Sequence, residues 1–395
     1  MVFVCCGAQV LRGTPAPRSP LPNPYPQTVR ILAWPAFDNQ TGNPYNRLLY
    51  APMADMGVTV DEFSPGRALQ SALLGAHDAW HLHWPDDLLS TTPRRAAAWR
   101  VAGLLGLMTL ARWRNIRMVW TAHDLGPHES PHPWLERFFW HHFVPRVDAV
   151  ISLSEHGLEA ARERFPRLRG RPGFAIPHGH YRDAYPPAPP KDEARRALDL
   201  PAEVPVVLFV GRIRPYKNVA RLVKVFREMD APERAHLVVA GNPASEALRR
   251  RIEAAAAGAE RVRLALRFIP EAGLPAYLAA ADLVALPYRD VLHSGSALLA
   301  LSFDRPVLVP GRGAMSELQA QVGPRWVRTF AGESSNAETK QLTPEALRDA
   351  LRWALRVKRP ARAPLRALGW DRVAAQTVEA YRVVARGSNK RAEAE

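Results

Sequence analysis

The chain has 395 residues, 47% of them hydrophobic and 23% charged, a globular composition too long for one compact core, so two domains are expected. Its 53 Lys and Arg outnumber 38 Asp and Glu, and the formal charge of +15 favours an anionic partner: phosphorylated substrates, a lipid surface or nucleic acid. The two cysteines, Cys5 and Cys6, are adjacent and cannot staple a fold, which excludes a disulfide scaffold and fits a reducing compartment.

Residues 1–27, rich in proline and lacking a basic leader, read as a disordered extension or a mis-assigned start rather than a signal peptide. TVRILAWPAF at 28–37 reads as a first strand, and the turn formers of 38–46 as the loop after it. A helix over 47–56, a strand at 58–63, a further helix and a strand at 79–83 follow. Strands alternating with helices predict a parallel, doubly wound sheet, in which ligands sit beyond the C-terminal ends of the strands. That singles out the loops at 38–46, 84–88 and 123–133. The apolar run 101–111 is far shorter than the roughly 20 residues a bilayer span needs. Arginines surround it, and Trp99 and Trp113 stand at its ends, a pattern that suits an interfacial helix and a buried core helix equally.

A strand at 117–122 runs into HDLGPHESPHP, which gathers His123, Asp124, His128, Glu129 and His132. The prolines forbid a helix there, so the imidazoles lack the spacing of a metal site, and a general base is the better expectation. A strand at 149–153, a helix reaching 165 and the segment HGHYRD at 178–183 precede the proline-rich boundary 186–190. The expected division is an extension over 1–27, a Rossmann-like domain over 28–185, a linker over 186–204, a second Rossmann-like domain over 205–368, and a C-terminal helix with a basic tail over 369–395. Residues 352–395 hold 11 basic against 4 acidic side chains.

The second half opens on PVVLFVGRIRPYKN at 205–218. Five apolar residues end at Gly211, Arg212, Arg214 and Lys217 follow, and a helical pattern starts at Val219. Such a turn sets backbone N–H groups and cations at one mouth, which suits a diphosphate. A strand at 236–240 with the turn Gly241-Asn242-Pro243, a helix at 244–257, strands at 262–265 and 283–286, and a helix opened by Ser294-Gly295-Ser296 come next. That helix start has N–H groups and a dipole favourable to anions. A strand at 306–309, a helix from 316, a strand at 326–330 and helices at 344–357 and 370–385 complete the chain.

GRIRPYKN, VVAGNP, LPAYLAAADLVALPY and the Ser/Gly helix start, in that order over 205–310, resemble the GT-B glycosyltransferases. The resemblance implies two Rossmann-like domains facing a central cleft, with the nucleotide-sugar donor on the second and the acceptor on the first. The sequence departs from the large retaining family of this fold, which has two Glu eight residues apart. Val291 and Leu299 occupy those positions, and moving the frame to Asp290 meets Leu298. HLHWPDDLL at 81–89, HDLGPHE at 123–129, HGHYRD at 178–183, IRPYKN at 213–218 and HSGSALLALSFDRPVLVP at 293–310 are similar to the inverting β-mannosyltransferases of xanthan-type exopolysaccharide assembly. These transfer mannose from GDP-mannose to a polyprenyl-diphosphate-linked oligosaccharide at the cytoplasmic face of the membrane, and no metal ion or other cofactor is implied.

On that resemblance Gly211, Arg212, Lys217, Ser294, Gly295 and Ser296 meet the donor diphosphate, and Asn242, Phe268 and Glu271 lie near its nucleoside. Glu129 is the first candidate for the base, then His123, then Asp38. Each also has a plainer reading as a cap, a binder or a loop residue. Asn43, Tyr45, His83, His128, His178 and Arg182 are expected on the acceptor side, with His178 and Arg182 alternatively fixing the hinge. An anionic membrane surface would account for the basic balance. Nucleic acid is not expected, since the cations form no recognisable binding motif. A UDP-sugar transferase, a nucleotide-sugar epimerase and a non-catalytic scaffold of glycan assembly are the rival expectations.

Overall fold

A computed structural model describes residues 28–38, 43–90, 93–126, 132–229, 234–289, 291–332 and 341–392. The first domain is a parallel six-stranded sheet in the order β2-β1-β3-β4-β5-β6. Its strands are β1 (Val29–Trp34), β2 (Val58–Glu62), β3 (Ala79–His83), β4 (Arg117–Ala122), β5 (Ala149–Ser152) and β6 (Gly173–Ala175). Helices α1 (Tyr45–Tyr50), α2 (Pro65–Leu74), α3 (Arg94–Trp113), α4 (Pro133–Phe143) and α5 (Glu155–Arg164) connect them. The second domain repeats the plan in the order β12-β11-β10-β7-β8-β9, also parallel. Its strands are β7 (Val206–Val210), β8 (His236–Ala240), β9 (Val262–Ala265), β10 (Leu283–Ala285), β11 (Val307–Gly311) and β12 (Val327–Gly332). Its helices are α6 (Lys191–Ala197), α7 (Val219–Glu228), α8 (Glu246–Ala256), α9 (Leu274–Ala280), α10 (Gly295–Ser302), α11 (Ala314–Val322) and α12 (Pro344–Arg356), and α13 (Trp370–Ala392) ends the described chain.

The local chemistry explains these elements. All five residues of β7 are buried, as a parallel strand covered on both faces requires. Ser64, Ser154, Ser245, Ser294 and Thr343 cap their helices by accepting an N–H three residues on. Proline opens α2, α4 and α12, where a missing N–H is harmless.

Two placements differ from the sequence reading. The segment 186–204 is not a simple tether, because it contains α6. Arg195 there is buried, pairs with Asp282 at 2.8 Å and donates to the carbonyl of Ala280, which builds the segment into the second domain. The terminal helix crosses back to the first domain. Val373, Ala374, Val378 and Tyr381 of α13 pack with Ile31, Leu49 and Met53 against one face of the first sheet. Helix α3 has one buried face and one exposed face. Val101, Leu104, Leu105 and Met108 are buried, while Trp99 and Trp113 are 79% and 78% exposed on the other side. No described helix is long and apolar enough to cross a membrane.

Candidate active site

In each sheet the chain changes winding direction once, between β1 and β3 and between β7 and β10, and the loops after those strands flank a crevice. The second domain's crevice is built around Gly211. It has φ +124°, and a Cβ there would lie 2.8 Å from Ser296 Oγ and 3.7 Å from Lys217 Nζ. The glycine turn, the Lys217 ammonium and the start of α10 therefore converge. Lys217 sits in a 3-10 turn ended by Asn218 in the left-handed region, and its ammonium lies 5.5 Å from the centre of the Tyr288 ring. Ser294 caps α10 by accepting from Ala297 N, at 3.2 Å. The Gly241 turn supports this cradle from behind. Ile213 N donates to the carbonyl of Asn242 and Ala244 N to that of Ile213, so Asn242 acts here through its backbone. Arg212 is exposed at the mouth. The cradle is a place where an anion meets N–H groups, a helix start and fixed cations together.

Facing it, the loop after β3 carries Asp86 and Asp87. Burial pushes Asp86 up to about 7, with Asp87, Asp124 and Glu136 adding to the rise. Burial also raises Asp87, against the opposing pull of Arg212 and Arg214. These carboxylates were not singled out as site residues. The signal was present in the PDD of HLHWPDDLL, but only the tertiary fold sets them opposite the arginines.

The floor between the domains is aromatic and imidazole-rich. Tyr45 is buried, its ring edge-on to His123 at 4.9 Å, His178 at 4.8 Å and Trp370 at 5.3 Å. Asn43 Oδ1 accepts from Tyr45 N at 3.3 Å and so shapes the loop. His123 is stacked on Trp84 with centroids 3.9 Å apart. His293, just before α10, reaches into the first domain, its Nε2 3.5 Å from Ser152 Oγ. Burial holds His293 at about 3 and His178 at about 4, and keeps His123 well below the usual imidazole range. A cavity of about 490 Å³ opens beside them, lined from both domains by Ser154, His178, Ser294, Met315 and Glu317 among others.

Several expected site residues are engaged elsewhere. His83 is wholly buried and bonds Tyr50 and His123, so it does not meet an acceptor directly. Arg182 pairs with Asp304 at 2.6 Å and donates to the carbonyl of Ala363, which fixes the hinge instead. His178 donates from Nδ1 to the carbonyl of Gly179 and accepts from Tyr181 OH, so both its nitrogens are engaged. Asp38 is exposed, and its N–H donates to Glu62, a carboxylate that also receives Ala36 N. Phe268 is exposed and Glu271 half-buried in a 3-10 turn near Tyr185. Glu129 and His128 lie outside the described residues. Among the described residues, no cluster of His, Cys, Asp and Glu suits a metal ion.

One clasp across the cleft was not foreseen. Glu317 of α11 accepts from the N–H of Glu155 at 3.1 Å and of His156 at 2.7 Å, the first turn of α5 in the other domain. The His156 ring lies against Gly313, where a Cβ would come within 2.8 Å of it.

Comparison with known proteins agrees with this architecture. The family described as Glycosyl transferases group 1 matches residues 204–354. GDP-mannose:glycolipid 4-beta-D-mannosyltransferase of Xanthomonas campestris pv. campestris is 33% identical over 311 residues, covering 77% of this chain and 80% of that protein. D-inositol 3-phosphate glycosyltransferase of Kineococcus radiotolerans is 27% identical, covering 71% and 69%. Among solved structures, sucrose-phosphate synthase of Thermosynechococcus elongatus superposes with a TM-score of 0.61 at 19% identity, over 91% of this chain and 99% of that one. HepE of Anabaena in complex with UDP-glucose superposes at 0.55 and 15% identity, over 93% and 99%. Two parallel sheets facing across a cleft, a cradle at the second switch point and these relatives lead to one conclusion: the chain belongs to the group 1 glycosyltransferases and is a GT-B glycosyltransferase.

Proposed function

We propose that the protein moves mannose from GDP-mannose to a polyprenyl-diphosphate-linked oligosaccharide, with inversion, at the inner face of the cell membrane during exopolysaccharide synthesis. The observation that carries this reading is the 33% identity to a GDP-mannose:glycolipid 4-beta-D-mannosyltransferase over four-fifths of that relative. The geometry supplies what the chemistry needs. The acceptor oxygen forms a bond to the anomeric carbon while the bond from that carbon to the diphosphate breaks. Charge then accumulates on the departing diphosphate. Lys217, Arg212 and the start of α10 stabilise it in place, without needing to reorganise. The hydroxyl proton passes to a carboxylate of the first domain. Glu129 is our assignment, with Asp87, opposite Arg212, as its rival. The membrane side of the reading is supported by the exposed faces of α2, α3 and α4, which lie side by side. They present Leu69, Leu73 and Leu74, Trp99 and Trp113, and Trp134 and Phe138, with Arg94 over the Trp134 ring at 4.3 Å.

The test is to incubate the protein with labelled GDP-mannose and a membrane lipid extract. Label should enter the lipid fraction, and Arg212→Ala should reduce that transfer about a hundredfold or more. Transfer from a UDP-sugar instead would move the donor assignment, and normal transfer by Arg212→Ala would remove its role. Glu129→Gln should abolish transfer while sparing GDP binding. If it transfers normally and Asp87→Asn does not, the base is Asp87.

A further inference from the structure

A chain of buried rings runs beneath the cleft. Tyr50 OH lies 2.6 Å from His83 Nε2, and His83 Nδ1 lies 2.9 Å from His123 Nε2. Beside it, Tyr381 OH of α13 lies 2.6 Å from His81 Nδ1, His81 Nε2 lies 2.7 Å from Thr121 Oγ1, and Tyr50 OH also lies 3.0 Å from His81 Nδ1. Tyr50, His81, His83, Thr121 and Tyr381 are all essentially inaccessible to water.

The placement of the hydrogens is argued from the distances. A contact of 2.6 Å is short for an N–H donor and suits an O–H donor, and each hydroxyl has one hydrogen to give. Tyr381 gives its hydrogen to His81 Nδ1, which leaves His81 to donate from Nε2 to Thr121. With His81 Nδ1 already accepting from Tyr381, Tyr50 gives its hydrogen along its shorter contact, to His83 Nε2. A neutral imidazole carries one N–H, so His83 carries its own on Nδ1 and donates it to His123 Nε2. His123 must therefore carry its hydrogen on Nδ1, the nitrogen left to meet a substrate. Burial keeps both imidazoles neutral, with their pKa values well below the ordinary histidine range. The Trp84 stack and the edge of Tyr45 hold the ring in this orientation.

We infer that Tyr50 and His83 are positioning residues that fix His123 as a neutral hydrogen-bond donor toward the bound substrate. His123 then grips a substrate oxygen and is not the proton acceptor. The functional part of this inference rests on the glycosyl-transfer reading of the cleft, whereas the tautomer itself does not.

The experiment is nitrogen-15 NMR on histidine-labelled protein without substrate, which reports which ring nitrogen bears hydrogen. Wild-type His123 should bear it on Nδ1. Tyr50→Phe should shift His123 toward the Nε2–H form and lower kcat/KM for transfer about tenfold. Ser71→Ala removes a buried hydroxyl of the same domain that bonds His77 and Trp80 and none of the rings leading to His123, so it should leave the His123 tautomer unchanged. If Tyr50→Phe does not fold, His83→Leu breaks the same chain one link nearer and carries the same expectation. An Nε2–H on wild-type His123, or an equal shift in Ser71→Ala and Tyr50→Phe, overturns the inference. If the tautomers behave as stated but GDP-mannose is not turned over, the proposed reaction fails and the positioning chain stands.

Discussion

Gly211 is where backbone geometry and charge meet. Its φ of +124° is one that side-chain-bearing residues rarely adopt, and a methyl there would press on Ser296 Oγ. Gly211→Ala should therefore weaken GDP binding at least tenfold in calorimetry while the thermal midpoint changes little, because the strain falls on the cradle rather than the core. Gly211, Lys217 and the Ser294 cap were legible in the sequence because each follows from neighbours a few residues away. Asp86 and Asp87 were not, since two acids after a strand signify nothing until the fold sets arginines opposite. His83 was misjudged for a related reason. Alternation along β3 correctly places His81 and His83 on one side, but it cannot say whether that side meets solvent or Tyr50.

Most strands and helices were readable from periodicity, since a buried parallel strand and a capped amphipathic helix are local patterns. What joins the elements was not. The Glu317 clasp links positions 162 and 161 residues apart, which no window of sequence contains. Its carboxylate receives two N–H groups at the start of α5, where the helix dipole also favours it. Glu317→Gln keeps the shape but loses the charge, and should destabilise the closed arrangement by about 1–2 kcal/mol. Small-angle scattering should show a larger radius of gyration for this variant, and an unchanged radius would mean the clasp does not hold the domains together. On the far side, the outward face of α3 leads to a separate expectation. Trp99→Ser with Trp113→Ser should reduce co-sedimentation with anionic vesicles several-fold and leave GDP binding intact, because neither ring contributes to the core.

The molecule as a whole keeps several imidazoles uncharged in and beneath its cleft. His81, His83, His123, His178 and His293 all have pKa values lowered chiefly by burial, to about 3 for His81 and His293. The unfolded chain would take up a proton at each near pH 6.5, and the folded chain refuses it. Stability is therefore full above about pH 6.5 and falls as the pH drops toward 3, by up to about 1.4 kcal/mol per pH unit for each ring. Asp86, raised to about 7, works the other way, since its folded form holds a proton that the unfolded form releases above 3.8. Two acids, Asp86 and Asp87, against five imidazoles leave the net slope positive, so the urea midpoint should drop between pH 6.5 and pH 5. A flat profile there would mean the rings are not buried together. The return of α13 has a consequence for how the protein is made. Tyr381 sits against His81, 300 residues earlier, so the domain translated first lacks one of its layers until almost the whole described chain has left the ribosome. During that interval its sheet exposes an oily surface around Ile31 and Met53, which makes the nascent chain a client for chaperones and the first domain expressed alone prone to precipitate.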